Sequence, residues 1–341
     1  MQFAGSSGGE PYQQEENAVR KIFKLGLLAA IVGGTLGLGT LQASSQDLEL
    51  TIMAPAGAGG GWDSASRSMQ EAMMASGNAK SVQVVNVPGA GGTVGLAQFV
   101  GSAKGNPNQL LVAGITLVGA SISNQSPVDL TQVTPIARLT GDPLVIVVPK
   151  DSPIRSIDDL LATIKKDVAT TIWVGGSAGG ADHILAALVT KAAGADPSKI
   201  NYVAYSGGGE SLAAMLGGQA TAGVSGYGEW EGQIKSGDLR ALAISYPEPI
   251  EGIEARPLKA QGLDIELVNW RGIFAGPGVE GADLDKLKSA VEKTVKSAEW
   301  QAILKARGWT DYYAPSDEFK AFIGSETKRV KTILTSIGLA N

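Results

Sequence analysis

The stretch Leu48-Glu49-Leu50-Thr51-Ile52-Met53-Ala54-Pro55-Ala56-Gly57-Ala58-Gly59-Gly60-Gly61-Trp62-Asp63 carries the reading of the fold. Residues 48–53 read as a strand and residues 63–75 as a helix, with a glycine-rich turn between them. A strand that passes through such a turn into a helix is the repeating unit of a parallel α/β sheet. The unit recurs at once: residues 82–86 read as a strand, 92–102 as a helix and 109–113 as a strand.

A second series follows. Strands are expected at 144–148, 171–174, 200–204, 222–225 and 239–245. Helices are expected at 157–165, 181–193, 210–216 and 230–235. Residues 246–256, rich in Pro and Glu, read as loop, and late helices fall near 284–297, 299–307 and 316–337. Two series predict an α/β fold of two lobes, each a mixed or parallel sheet, with a ligand cleft between them. A chain of 341 residues suits two domains of about 150 residues each. The expected division is 46–143 plus 266–341 for the first lobe and 144–265 for the second. Pro143-Leu144-Val145-Ile146-Val147-Val148-Pro149, an apolar strand between prolines, is the expected connection, and loop-rich 262–278 the return. Ligands in open α/β sheets bind beyond the carboxyl ends of strands, so facing lobes gather those ends into one cleft.

Composition narrows the function. Hydrophobic residues at 44% and charged residues at 18% describe a packed globular chain rather than a disordered one. A net charge of −5 lacks the basic footprint of a nucleic-acid binder. There is no cysteine and one histidine, His183, so no thiol nucleophile or Cys-based zinc site exists. Neither a metal nor a cofactor is expected.

Arg20, Lys21 and Lys24 precede an uncharged run from Leu25 to Leu41, followed by Ala43-Ser44-Ser45. This is the charged, apolar, small-residue order of a secretory signal. The expectation is a signal peptide over 1–45, cleaved near Ala43 to Ser45, and a periplasmic protein. The run spans 17 residues with five glycines, short of the roughly 20 that a membrane span needs. Residues 1–18 are long and polar for a leader; a true start at Val19 would make the leader ordinary.

Four glycine-rich loops lie between an expected strand and an expected helix. They are Ala54 to Asp63, Asn86 to Thr93, Gly175 to Gly180 and Tyr205 to Glu210. The first amides of a helix lack intrahelical partners and carry partial positive charge, and glycine lets a ligand approach them. Neither Gly57-x-Gly59 nor Gly89-x-Gly91 completes a dinucleotide fingerprint, because Trp62 and Val94 stand at the third glycine position. Gly175-Gly176-Ser177-Ala178-Gly179 matches the Gly-x-Ser-x-Gly nucleophile elbow, which makes an exported serine hydrolase using Ser177 the alternative function. His183, six residues on and in the expected helix that Ser177 precedes, is poorly placed as its base. Ser177 otherwise reads as a ligand-contacting hydroxyl or helix cap, and His183 as a locally packed residue. Asp63 reads as a helix cap or a cleft residue. Trp62, Tyr227 and Trp230 read as cleft wall or core. Arg138 and Arg271 are anion-partner candidates whose default is the surface.

At these loops the sequence resembles the substrate-binding proteins of tripartite tricarboxylate transporters, the TctC-like or Bug family. The first two loops with Arg67 carry it most specifically. Pro149 and Pro153 before Asp158-Asp159-Leu160, Ser177 to Gly180 with His183, and Tyr205-x-Gly207 before Leu216-Gly217-Gly218-Gln219 extend it. The resemblance implies a non-enzymatic, periplasmic-binding-protein-like fold that captures a small carboxylate and hands it to a two-component membrane permease. It implies ligand contacts from Ala56, Gly57, Ala58, Gly59, Gly60, Gly61, Asp63, Ala90, Gly91, Gly92 and Thr93 in the first lobe. From the second it implies Ser177, Ala178, Gly179, Gly180, Tyr205, Gly207 and Gly208. Gly-Gly-Gly-Trp-Asp in the first loop, in place of the commoner Gly-Gly-Thr-Asp, favours a di- or tricarboxylate such as citrate. The expected protein is a monomer; a sensor kinase stays open as a further partner.

Overall fold

The structure, a computed structural model, describes residues 48–340. The expected signal segment and start site fall outside them. In chain order the strands are β1 (Glu49–Ala54), β2 (Ser81–Asn86), β3 (Gln109–Gly114), β4 (Thr134–Pro149), β5 (Ile172–Gly175), β6 (Asn201–Ala204), β7 (Ala222–Gly226), β8 (Leu239–Ile244), β9 (Val268–Ala275) and β10 (Thr310–Pro315). The α-helices are α1 (Gly61–Ala75), α2 (Thr93–Ser102), α3 (Ile115–Ser123), α4 (Ile157–Lys166), α5 (Ala181–Ala192), α6 (Gly208–Leu216), α7 (Tyr227–Lys235), α8 (Gly281–Val295), α9 (Ala298–Arg307) and α10 (Ser316–Ser336).

β4 organises the molecule. Its sixteen residues are almost entirely buried, and at about 3.3 Å per residue they reach roughly 50 Å, enough to serve two sheets. Its first part, Thr134 to Pro143, pairs antiparallel with β9 and β10. Its second part, from Leu144, pairs antiparallel with β7 and β8. The first sheet runs β2-β1-β3-β9-β4, with β1, β2 and β3 parallel. The second runs β4-β7-β5-β6, with β5 parallel to both neighbours. The result is two α/β lobes that share one strand. The proline-bracketed run Pro143 to Pro149 starts at this crossing and lies in the second sheet.

Four elements differ from expectation. Residues 262–278 return the chain not as loop but largely as β9, inserted between β3 and β4. Val268-Asn269-Trp270-Arg271-Gly272-Ile273-Phe274-Ala275 is rich in strand formers, which the flanking glycines masked. α3 was not expected: six of its nine residues are buried, so no helical period survives in Ile115-Thr116-Leu117-Val118-Gly119. β10 and the first part of β4 also lay unread. Trp230 and Tyr227 belong to the core of the second lobe and not to a cleft wall, at 0% and 4% exposure.

Candidate functional site

All four glycine loops lie where expected, each between a strand and a helix start, and they converge on a cavity of about 490 Å³. The starts of α1, α5, α6 and α7 border it, through Gly61, Ala181, Gly208 and Glu229.

The first loop is held by Asp63. Its Oδ2 accepts the Gly59 N–H at 2.8 Å and the Arg67 Nε–H at 2.9 Å, and its Oδ1 accepts from Asn86 at 2.9 Å. Asn86 also donates to the Ala56 carbonyl. Burial pushes the Asp63 carboxyl up, but Arg67, the Gly59 amide and Asn86 outweigh it and hold it low. Asp63 therefore spends its oxygens inside the protein, tying the first loop to the second.

The second loop turns through Ala90, Gly91 and Gly92, all with positive φ. A side chain on Gly91 would strike the Ala120 methyl, and one on Gly92 would lie 2.6 Å from the Trp62 ring. The two glycines let this loop lie flat on α3 and on Trp62, which is cleft wall as well as core. Thr93 donates to the Ala90 carbonyl, as does Asn124.

In the third loop Asp182 accepts the Gly176 N–H at 2.7 Å, and the His183 Nδ1 accepts the Gly179 N–H at 3.1 Å. The imidazole stacks on Tyr202 with ring centroids 4.1 Å apart, and its Nε2 is buried without a partner. Burial drives its pKa down to about 4, so it is neutral. The one imidazole is thus committed to its own loop and is not hydrogen-bonded to Ser177. In the fourth loop the Gly208 carbonyl accepts from Trp230.

The lobes meet glycine to glycine. A Cβ on Gly207 would lie 3.3 Å from the Gly60 Cα, and one on Gly119 would fall on the Gly179 carbonyl. Thr116 of α3 accepts the Ala181 N–H at the start of α5, joining the first lobe to the second at 3.2 Å.

Charge enters through Arg271 on β9. It is 2% exposed and lines the cavity, so the surface default for this residue is overturned. Its Nη2 donates to Asp142 of β4 at 2.6 Å and lies 3.8 Å from Glu229, while the guanidinium sits 5.1 Å from the Trp309 ring. Nη1 has no partner. Arg138 lies elsewhere: it donates to the Tyr312 carbonyl and stacks on Tyr312 and Phe322. Burial pushes Asp182 up to about 7, against the Gly176 amide and helped by the charges of Glu229 and Asp142. Burial likewise lifts Glu229 to about 7 despite Arg271. Among the described residues no cluster of three His, Cys, Asp or Glu side chains is placed to hold a metal.

Of the residues expected at the site, Ala56, Gly57, Gly60, Gly61, Ala90, Gly91, Gly92, Ser177, Ala178, Tyr205, Gly207 and Gly208 line the cavity. Ala58, Gly59, Asp63, Thr93, Gly179 and Gly180 do not; Asp63 and Thr93 brace their loops through the hydrogen bonds above, and Ala58 and Gly59 are exposed. Sequence reading passed over Asp182 and Glu229, because it sought donors for an anion and both are acids. Their signal was an acid in the first turn of a helix opened by glycine.

Two lobes sharing a strand, with glycine loops from both around one cavity, define the class of periplasmic-binding-protein-like folds. The chain belongs to the tripartite tricarboxylate transporter receptor family, TctC, whose model matches residues 65–339. It is 25% identical over 327 residues to protein BugT of Bordetella pertussis, covering 94% of this chain and 98% of that one. Its fold is similar to the Rhodopseudomonas palustris MatC protein with bound malate, at TM-score 0.74 and 21% identity, covering 84% and 98% of the two chains. A second R. palustris protein, with adipate, aligns at TM-score 0.78 and 17% identity over 86% and 98%.

Proposed function

We propose that this chain is an extracytoplasmic solute-binding protein that captures a small carboxylate in the interlobe cleft and delivers it to a tripartite tricarboxylate transporter permease. The observation that carries the reading is the convergence of four glycine loops and the buried Arg271 on one cavity. Helix starts without side chains in the way suit a carboxylate, and a buried guanidinium suits it further. Malate and adipate in the two similar folds support the same ligand class. The first-loop Gly59-Gly60-Gly61-Trp62-Asp63 favours a di- or tricarboxylate of citrate type. In this reading the protein is periplasmic, monomeric and not an enzyme. The twelve lining residues expected from sequence make the contacts, and the lobes divide as 46–143 with 266–341 and 144–265. A sensor kinase as partner has no support beyond the sequence reading.

A thermal-shift panel of citrate, other di- and tricarboxylates, aromatic acids and amino acids tests the proposal. Ligand at 100 times its Kd stabilises the native state by about 2.7 kcal/mol, a shift of several degrees. No shift with any acid overturns the reading. Ester turnover by the parent that Ser177→Ala abolishes would instead establish the hydrolase; the engaged His183 argues against it.

A further inference from the structure

The charged side chains lining the cavity are Asp182, Glu210, Glu229 and Arg271, three acids and one base. Glu210 is exposed and holds the Ser206 amide. Behind Arg271, Asp142 is 1% exposed and claims Nη2. A plain polyanion has a poor match here, since the one guanidinium is already half neutralised and two half-buried carboxylates face the same space.

The unmatched atoms are specific. Arg271 is nine-tenths buried and more, lines the cavity, and has one donor nitrogen, Nη1, without an acceptor. Asp182 uses Oδ2 for the Gly176 amide, and among the described residues nothing donates to Oδ1. Glu229 accepts from Ser225 at Oε2 and is held by the Gly208 amide as well, and its Oε1 faces Arg271 at 3.8 Å, too long for a hydrogen bond. The wall thus presents two unmatched acceptors, and the Arg271 guanidinium that lines it keeps a further nitrogen, Nη1, shielded from solvent and without an acceptor. Burial has also lifted both acids to about 7, so near neutrality a donor or cation placed beside them favours the ionised, accepting form.

We infer that the ligand carries a hydrogen-bond donor, a hydroxyl or an ammonium, beside its carboxylate, and that Asp182 and Glu229 accept from it while Arg271 holds the carboxylate. This rests on the carboxylate reading and narrows it. A ligand of this kind matches all three groups at once. Its deoxy analogue leaves two half-buried acceptors unmatched inside a closed cleft, and a site built for a donor discriminates against the analogue that lacks it.

Titration calorimetry on the full chain with matched pairs tests the inference: malate against succinate, aspartate against succinate, citrate against tricarballylate. The donor-bearing member of one pair should bind about tenfold or more tightly. A preference for malate names the hydroxyl, and one for aspartate the ammonium. Asp182→Asn and Glu229→Gln, each keeping an oxygen for the Gly176 amide or for Ser225, should pull that ratio toward one, because a neutral acceptor is weaker than a charged one. Melting curves of the unliganded variants report whether they fold. Ratios within twofold in every pair overturn the inference and leave the carboxylate reading standing. A large ratio that neither folded variant changes removes Asp182 and Glu229 from the recognition. Binding of none of the probes removes the carboxylate reading itself.

Discussion

Arg271 and Asp142 sit where β4 passes from one sheet to the other: Asp142 still pairs with Asn269 of β9, and Leu144, two residues on, pairs with Gly226 of β7. Both side chains are buried, and burial pushes the Asp142 carboxyl up against the pull of Arg271. Removing one partner of such a pair strands the other charge, which costs about 3–5 kcal/mol. Arg271→Gln should therefore lower the melting temperature sharply, and adding Asp142→Asn should recover part of the loss. An Arg271→Gln protein that melts like the parent would show that the pair is not needed for stability. The raised acids predict a pH effect as well. A carboxyl whose folded pKa lies above its unfolded value binds more protons when folded, so its stabilising contribution is full at low pH and lost as pH rises toward about 7. His183, lowered to about 4, has the opposite sign and acts only below about 6.5. From about pH 6 to pH 7 the two acids outweigh the single histidine, so the unliganded protein should become less stable over that interval. Melting curves of the Asp182→Asn, Glu229→Gln double variant should show a flatter profile. These residues were the least legible in sequence. A buried arginine, a helix-start acid and a surface residue look alike until strands from distant parts of the chain bring them together, and Arg271 and Asp142 are 129 positions apart.

At the scale of elements the reading from sequence went further. Strand, glycine turn and helix recur with a period that the chain displays openly, so all four loops fell in place. Two of the misses share one cause, burial on every side. α3 and the first part of β4 lack the alternation or helical stripe by which amphipathic elements announce themselves. α3 matters because Gly119 on it touches the third loop of the other lobe. Gly119→Val places atoms on the Gly179 carbonyl, and such overpacking costs about 1–3 kcal/mol. If the contact belongs to the closed cleft, that energy falls on the bound state, weakening ligand binding roughly 5- to 150-fold. Small-angle scattering should then find the variant more extended than the parent at saturating ligand. An unchanged radius of gyration with unchanged affinity would remove this contact from closure.

At the scale of the molecule, fold class and family were legible because the glycine loops carry both. The cavity's charge was not, since it arises only where the two lobes and the shared strands meet. The strand order of the first sheet holds a consequence for how the chain acquires its shape. β9 lies between β3 and β4, yet it follows them by more than a hundred residues of second-lobe sequence. The lobe that begins first is therefore finished last: its middle strand arrives only after the second sheet has all its own strands. Until then β3 and β4 present unpaired edges, the kind of surface that recruits other chains. A chain stopped near residue 265 should keep second-lobe structure yet aggregate, which light scattering would report. The intact chain should regain first-lobe structure in a later refolding phase, since long-range strand pairing is slow.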